Sequence, residues 1–232
     1  MLPLHYHDIL NIKVKITMAQ SIRIEKPKVS KNLSTFNFHD IFDQEEPYIH
    51  HCLISNCTIE KVTIDKLDFT QVVFQNVNFS EVSFRNIELT DVVFDHCDLS
   101  NCDLMGASVH RVEFIDSKLL GINLTEAHIG NVLFKNCNLN LSSFGYGSFK
   151  QVRFEASSLK NADFYECRFN KIKYDQCNLD EVNFSRTPLK GTDISTSTFQ
   201  SLIVALEDLP GCVVSPQQAI GFAALLGLKI KE

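Results

Sequence analysis

The sequence contains no tryptophan, although 18 of its 232 residues are phenylalanine. An interior built on Phe but closed to Trp is a narrow one. No run of 18 apolar residues occurs, so neither a transmembrane helix nor a membrane partner is expected. The opening stretch MLPLHYHDILNIKVKITMAQ lacks a basic segment followed by an apolar one and does not read as an export signal, so the expected compartment is cytoplasmic. Bases are scarce relative to acids. The net charge of −6 speaks against direct nucleic-acid binding, since phosphate binders are usually basic. The sequence also lacks C-x-x-C pairs, G-x-G-x-x-G, P-loop, G-x-S-x-G and H-E-x-x-H motifs, so no metal, no cofactor and no catalytic residue is expected.

What is present is a period that suits neither helix nor strand. In VFQNVNFSEVSFRNIEL (Val73–Leu89), Phe or Leu recurs every fifth residue. Helices repeat near 3.6 and strands near 2. Every position ending in 4 or 9 from Ile54 to Phe199 is apolar, which makes 30 consecutive matches. Two residues earlier, positions ending in 2 or 7 hold mostly Val, Ala, Cys, Ser, Thr and Gly. The other three positions of each block are mostly polar. A small–polar–Phe/Leu–polar–polar unit of this kind resembles the pentapeptide-repeat family over residues 52–201.

The resemblance implies an all-β fold, a right-handed quadrilateral β-helix with one block per face and four blocks per coil. A short C-terminal helical segment would cap it and form a dimer. At the spacing of neighbouring strands, 30 blocks make a rod of roughly 36 Å. Residues twenty apart would stack, placing Phe74, Phe94, Phe114, Phe134, Phe154 and Tyr174 in one column. Seven of the eight cysteines fall on the small, buried register. Cys57, Cys97, Cys137 and Cys177 share a face but stand two coils apart, about 10 Å, too far for disulfides.

Solenoids need caps. Residues 1–30 read as an irregular, loosely attached extension, and residues 31–51 as an N-terminal cap using Phe36, Phe38, Ile41 and Phe42. In the C-terminal segment, 202–232, Ser215 is expected to cap a helix with Gln218 as its reciprocal partner and Gly227 at its end. Leu228–Ile230 would add a closing strand. Ile220, Phe222, Ala223, Leu225 and Leu226 make this helix apolar on more than one side, which suggests one surface for the rod and one for a second copy.

With no chemistry inside, function is expected on the surface. The richest acidic stretch is Glu81, Glu88, Asp91, Asp95, Asp98, Asp103, Glu113 and Asp116, set against Arg85 and Arg111 only. An outward apolar row, including Val73 and Val93, runs beside it, either as a contact surface or as the seat of the N-terminal segment. An unbroken rod ending in SPQQAIGFAALLGLKI further resembles the loopless, chromosomal Gram-positive members of the Qnr-type quinolone-resistance proteins. That resemblance implies binding to DNA gyrase and topoisomerase IV, protection from fluoroquinolones, and a dimeric rod that imitates duplex DNA. The other reading is a scaffold of the same fold with an unrelated protein partner.

Overall fold

The computed structural model describes residues 22–43, 48–229 and 231. Eight strands lie in chain order in one parallel sheet: β1 (Ser34–Thr35), β2 (Tyr48–Glu60), β3 (Asp68–Ser80), β4 (Glu88–Asp95), β5 (Ser108–Ile115), β6 (His128–Lys135), β7 (Ser148–Glu155) and β8 (Arg168–Asp175). From β2 to β8, each strand pairs with the next at an offset of twenty residues, so Phe74 meets Phe94 and Phe94 meets Phe114. Twenty residues are four blocks, and each coil is a four-sided loop. We label the faces A to D by their central residues: A holds Phe74 and Phe94, B Phe79 and Leu99, C Phe84 and Leu104, D Phe69 and Leu89. The strands run along D and A, with β2 and β3 continuing onto B, while B and C are otherwise joined by isolated bridges such as Asn78–Asp98 and Ser83–Asp103.

The fifth residue of each block makes the corner. Positions ending in 1 or 6 are left-handed, with φ between 49° and 62° for the non-glycine residues. Most L-residues resist this region, Asn and Gly least. Accordingly Asn recurs there, and Gly106, Gly121 and Gly191 occupy three corners. No Val, Ile or Thr stands at a left-handed corner. Thr196, the first β-branched residue on this register, is also the point where the left-handed series is interrupted, to recur at Gly211 (φ 83°).

The central side chains fill the bore. From Phe74 to Tyr174 the face-A rings stack with centroids 4.7–4.9 Å apart and planes within 7° of parallel. On the small register, Cys97, Ser117, Cys137, Ser157, Cys177 and Ser197 alternate coil by coil. Each Ser hydroxyl accepts the backbone N–H of the Cys one coil below, at 3.0–3.1 Å. Burial pushes the Cys97 and Cys177 thiols up to about 11 and Cys137 to about 12. Cys57 departs from expectation. It is exposed, because it belongs to the first complete coil and no regular block lies beneath it.

Both ends extend the rod. Ile49 already occupies the central register, buried and paired with Phe69, so the first coil starts one block before residue 52. Phe38 and Ile41, in a 3-10 turn over Phe38–Asp43, close the bottom, and Phe42, 59% exposed, only sets its ring edge-on against Phe38 from outside. At the top, β9 (Val182–Asn183) pairs with β10 (Leu202–Ile203) at the same twenty-residue offset, and Asp193 bridges Val213. Coil geometry therefore runs past residue 201. Helix α1 (Pro216–Ala223) follows, with the reciprocal cap in place: Ser215 N–H donates to Gln218 Oε1 at 2.8 Å, and Gln218 N–H donates to Ser215 Oγ at 3.2 Å. The Gln218 amide also donates to the Ile194 and Ser197 carbonyls, fixing the helix to the last coil. Gly227 (φ 73°) ends this segment, and Leu228 N–H returns to the Ala223 carbonyl. Leu228 and Lys229 form no strand, and Ile230 lies outside the described residues.

Residues 22–30 are not loosely attached. They run extended along the corner between D and A, opposite to the climb of the coils. Gln151 Nε2 donates to the Arg23 carbonyl, Glu25 N–H to Asn131 Oδ1, Lys28 N–H to Asp91 Oδ1, and Gln71 Nε2 to the Lys28 carbonyl. Four coils separate Gln151 from Gln71, about 19 Å at strand spacing, and the five extended residue steps from Arg23 to Lys28 reach about 17 Å. Ile22, Ile24, Pro27 and Val29 are half-buried. Under this strap the corner residues Gln71, Asp91, Arg111, Asn131 and Gln151 are all covered, whereas His51 below and Lys171 above are exposed.

Candidate partner-binding surface

The eight acids expected to form one surface are divided by the coil among all four faces. Asp95, Glu113 and Asp116 lie on face A and its edge toward B. Asp98 lies on B, and Glu81 on the far corner of B. Asp103 is on C, and Glu88 and Asp91 are on D. The five on A and B form one neighbourhood; the other three point elsewhere.

Asp91 is withdrawn altogether. Its side chain is 7% exposed and takes a two-bond pair from Arg111, at 2.6 and 2.7 Å, plus the Lys28 N–H at 2.9 Å. Burial works to raise its carboxyl. The bonds from Arg111 and Lys28 and the charges of both outweigh that, so it titrates below the usual carboxylate range. Asp91 is thus the anchor of the strap rather than a partner contact. Asp103 is also engaged, by Arg85 at 2.7 Å and Asn123 at 2.8 Å.

Face A changes character along the rod. In the lower coils its outward rows read Leu53, Val73, Val93 and Glu113 on one side, and Gln75, Asp95 and Ile115 on the other. Val73 and Val93 are half-buried beside the strap's corner. Asp95, His96 and Asp116 place ligand-type atoms within 4.8 Å of one another. The Asp95 bond and charge, with Asp116 behind, raise the His96 pKa above its ordinary value. Around the edge, Asp98 is held by Ser100 at 2.6 Å and by Lys118 at 3.4 Å. A shallow groove of about 440 Å³ runs from there to Glu81, floored by Asn78, Ser80 and Asn101. In the upper coils face A neutralises itself: Lys135 meets Glu155, Arg153 meets Glu155 and Asp175, and Lys173 meets Asp175. In the lower half, Asp95, Glu113 and Asp116 have no Lys or Arg partner among the described residues and stand near apolar side chains, whereas Asp98 is paired with Lys118.

At the C-terminal end, Phe222 packs against Phe199 with ring centroids 5.8 Å apart, and Ala223 is half-buried. Ile220, Leu225 and Leu226 are 54%, 48% and 61% exposed, so the apolar residues of this segment divide between rod and solvent.

The strap was the feature that reading by composition passed over. Its signal is the alternation Ile22-Arg23-Ile24-Glu25, a half-buried strand pattern hidden in a Lys-rich stretch.

Comparison with known proteins agrees with this architecture. A family model described as "Pentapeptide repeats (8 copies)" matches residues 68–106, and one described as "Pentapeptide repeat region" matches residues 107–184. "Uncharacterized protein YisX" of Bacillus subtilis (strain 168) is 43% identical over 209 residues, spanning 90% of this chain and 98% of that protein. Among solved structures, full-length QnrB1, a plasmid-mediated fluoroquinolone resistance protein, is similar at 18% identity and TM-score 0.34, covering 76% of this chain and all of that one. HetL, a pentapeptide repeat protein of the cyanobacterium Nostoc involved in heterocyst differentiation regulation, is similar at 14% identity and TM-score 0.28, covering 73% of this chain and 90% of that one.

Proposed function

This chain belongs to the pentapeptide-repeat family, and we propose that it is a non-enzymatic binding rod whose partner is a type II DNA topoisomerase, DNA gyrase or topoisomerase IV, which it protects from fluoroquinolones. The observation that carries this reading is the lower half of face A and its edge toward B, where Val73 and Val93 share a face with Asp95 and Glu113, and Asp116 stands at the corner leading to Asp98. A surface that handles DNA is basic, and an acidic patch with an apolar neighbour is suited to it: charge guides the encounter and the valines exclude water at contact.

Imitation of DNA is restricted to that patch. A 36 Å length of B-DNA carries about 21 charges, whereas the rod's acids are offset by bases and Asp91 and Asp103 are engaged internally. The exposed Ile220, Leu225 and Leu226 close against a second copy in the same reading, giving a twofold rod of double length. No helix among the described residues is long and apolar enough to cross a membrane.

The surface is tested by measuring binding of the purified protein to gyrase with Asp95, Asp98 and Asp116 changed together to Lys. Reversing three charges at a steered contact should weaken binding about tenfold or more at low salt, and the difference should shrink as salt is added. Unchanged binding removes the surface from the proposal. Loss of dimer on Leu225→Glu with Leu226→Glu, read by light scattering, tests the end contact. A wild-type protein that is already monomeric rejects it.

A further inference from the structure

Sorting the bases by face shows a second charged surface of opposite sign. In the repeat, Arg85, Arg111, Lys118, Lys135, Arg153, Lys160 and Lys173 each pair with a carboxylate. Four bases on the upper half of face D do not: Lys150, Arg168, Lys171 and Lys190, all exposed and without an ion pair among the described residues. From Ala107 to Gly191 the blocks of face D contain no Asp or Glu. The closest acid along the chain, Glu166, stands on the adjoining corner and makes no ion pair with Arg168. The acids of face D stand at its two ends: Asp68, Glu88 and Asp91 in its lower coils, and Glu207 with the buried Asp208 in the block above Lys190, where Leu189 N–H donates to the Asp208 carbonyl.

Coil geometry packs these four cations tightly. Lys150 pairs in register with Asn170, and Lys190 lies one coil higher, so the two lysines are about 10 Å apart. Arg168 and Lys171 are three residues apart in β8, again about 10 Å. The strap's upper end brings Arg23 to the edge of the patch, through the bond from Gln151. The outward residues between the cations are polar or small, such as Ser148 and Asn170, and no large apolar side chain stands among them.

We propose that this patch is a contact surface for the phosphate backbone of duplex DNA. A protein partner of comparable strength would need an aromatic or aliphatic anchor at its centre; among the described residues the outward positions of this face present none, and the partly buried Phe169 packs inward on Phe149 and Phe164. Phosphates need none, since release of condensed counterions supplies the affinity. A 10 Å length of duplex carries about six phosphates, enough to face all four cations. The net charge of −6 argued against nucleic acid when averaged over the chain. It does not describe this surface, because the blocks of face D from Ala107 to Gly191 carry no acid. The rod then has two poles: acid with apolar side chains below, cations above. The proposal does not depend on the topoisomerase reading, and its test contains no topoisomerase.

The test is fluorescence anisotropy of a labelled 20-base-pair duplex with the purified full-length chain. Four phosphate contacts predict a slope of log K against log salt of about −3.6, or roughly a 150-fold loss of affinity between 50 and 200 mM. Changing Lys150, Arg168, Lys171 and Lys190 to Glu should abolish binding at 50 mM salt, with the melting curve retained because all four side chains point outward. Changing Lys61 and Lys66 to Glu, bases without a carboxylate partner among the described residues and low on the rod, should alter affinity less than threefold. Equal losses in the two variants, or no binding by the wild type at 50 mM salt, overturn the proposal. So does saturable binding of polyglutamate where the duplex fails to bind, which would assign the patch to an acidic protein.

Discussion

Replacing Asp91 by Asn should loosen the N-terminal strap. The corner demands φ 58°, which Asn tolerates, so the change removes a charge without straining the backbone. What is lost is the two-bond pair with Arg111. Breaking a buried pair costs about 3–5 kcal/mol. That pair joins β4 to β5, so its loss falls on the rod; the strap keeps the Lys28 N–H bond to the amide oxygen of Asn and loses only the charge on its acceptor, about 1 kcal/mol. If the strap detaches as a unit, amide exchange at Glu25 and Lys28 should accelerate by roughly fivefold, the Boltzmann equivalent of that difference. Acid should do the same. The folded-state carboxyl is lowered by its partners, so its contribution is present above the free carboxylate value, about 3.9, and disappears as pH falls through the folded value. Lys28 exchange identical to wild type in Asp91→Asn would refute the anchor.

Tyr174→Phe should stabilise the rod: the hydroxyl is buried without a partner, while the ring keeps its stack on Phe154 at 4.8 Å. An unsatisfied buried group costs about 1–3 kcal/mol, so the urea midpoint should rise at constant m, and a fall counts against the stacking account. Leu141→Asn should stabilise by about 1 kcal/mol, since Leu141 is 60% exposed and held at φ 60°; a lower melting temperature would contradict the corner rule. Iodoacetamide at pH 8 should label Cys57 first and leave Cys97, Cys102, Cys137, Cys167 and Cys177 unreacted until unfolding, because burial holds those thiols near 11–12. Mass spectrometry showing uniform labelling would reject the assigned register.

The bore of the rod was legible from the chain because one residue in five has a single role. Phe74 to Tyr174 stack as the period requires, and the cap formed by Ser215 and Gln218 was visible as a local motif. The outside was harder to read. Residues adjacent in sequence turn a corner every fifth step, so Glu81–Asp116 looks like a patch along the chain and is divided among four faces in space. Neighbours on the surface are twenty apart, as with Lys150 and Asn170, and a composition window of any ordinary width averages them away. The strap was missed for a different reason. Its bonds, from Arg23 to Gln151 and Lys28 to Asp91, join residues 128 and 63 positions apart, and nothing in a local pattern reports such partners.

The central claim is protection of a topoisomerase, and gyrase supercoiling measures it directly. Purified protein is titrated into the reaction at a fluoroquinolone concentration that suppresses supercoiling, and in parallel without drug. The account predicts recovery of supercoiled product over a range of protein concentrations with drug present, and a weaker recovery when Asp95, Asp98 and Asp116 are reversed to Lys. No recovery at any concentration, in the presence of a rod shown to be folded, would contradict it and leave a pentapeptide-repeat scaffold with a different partner.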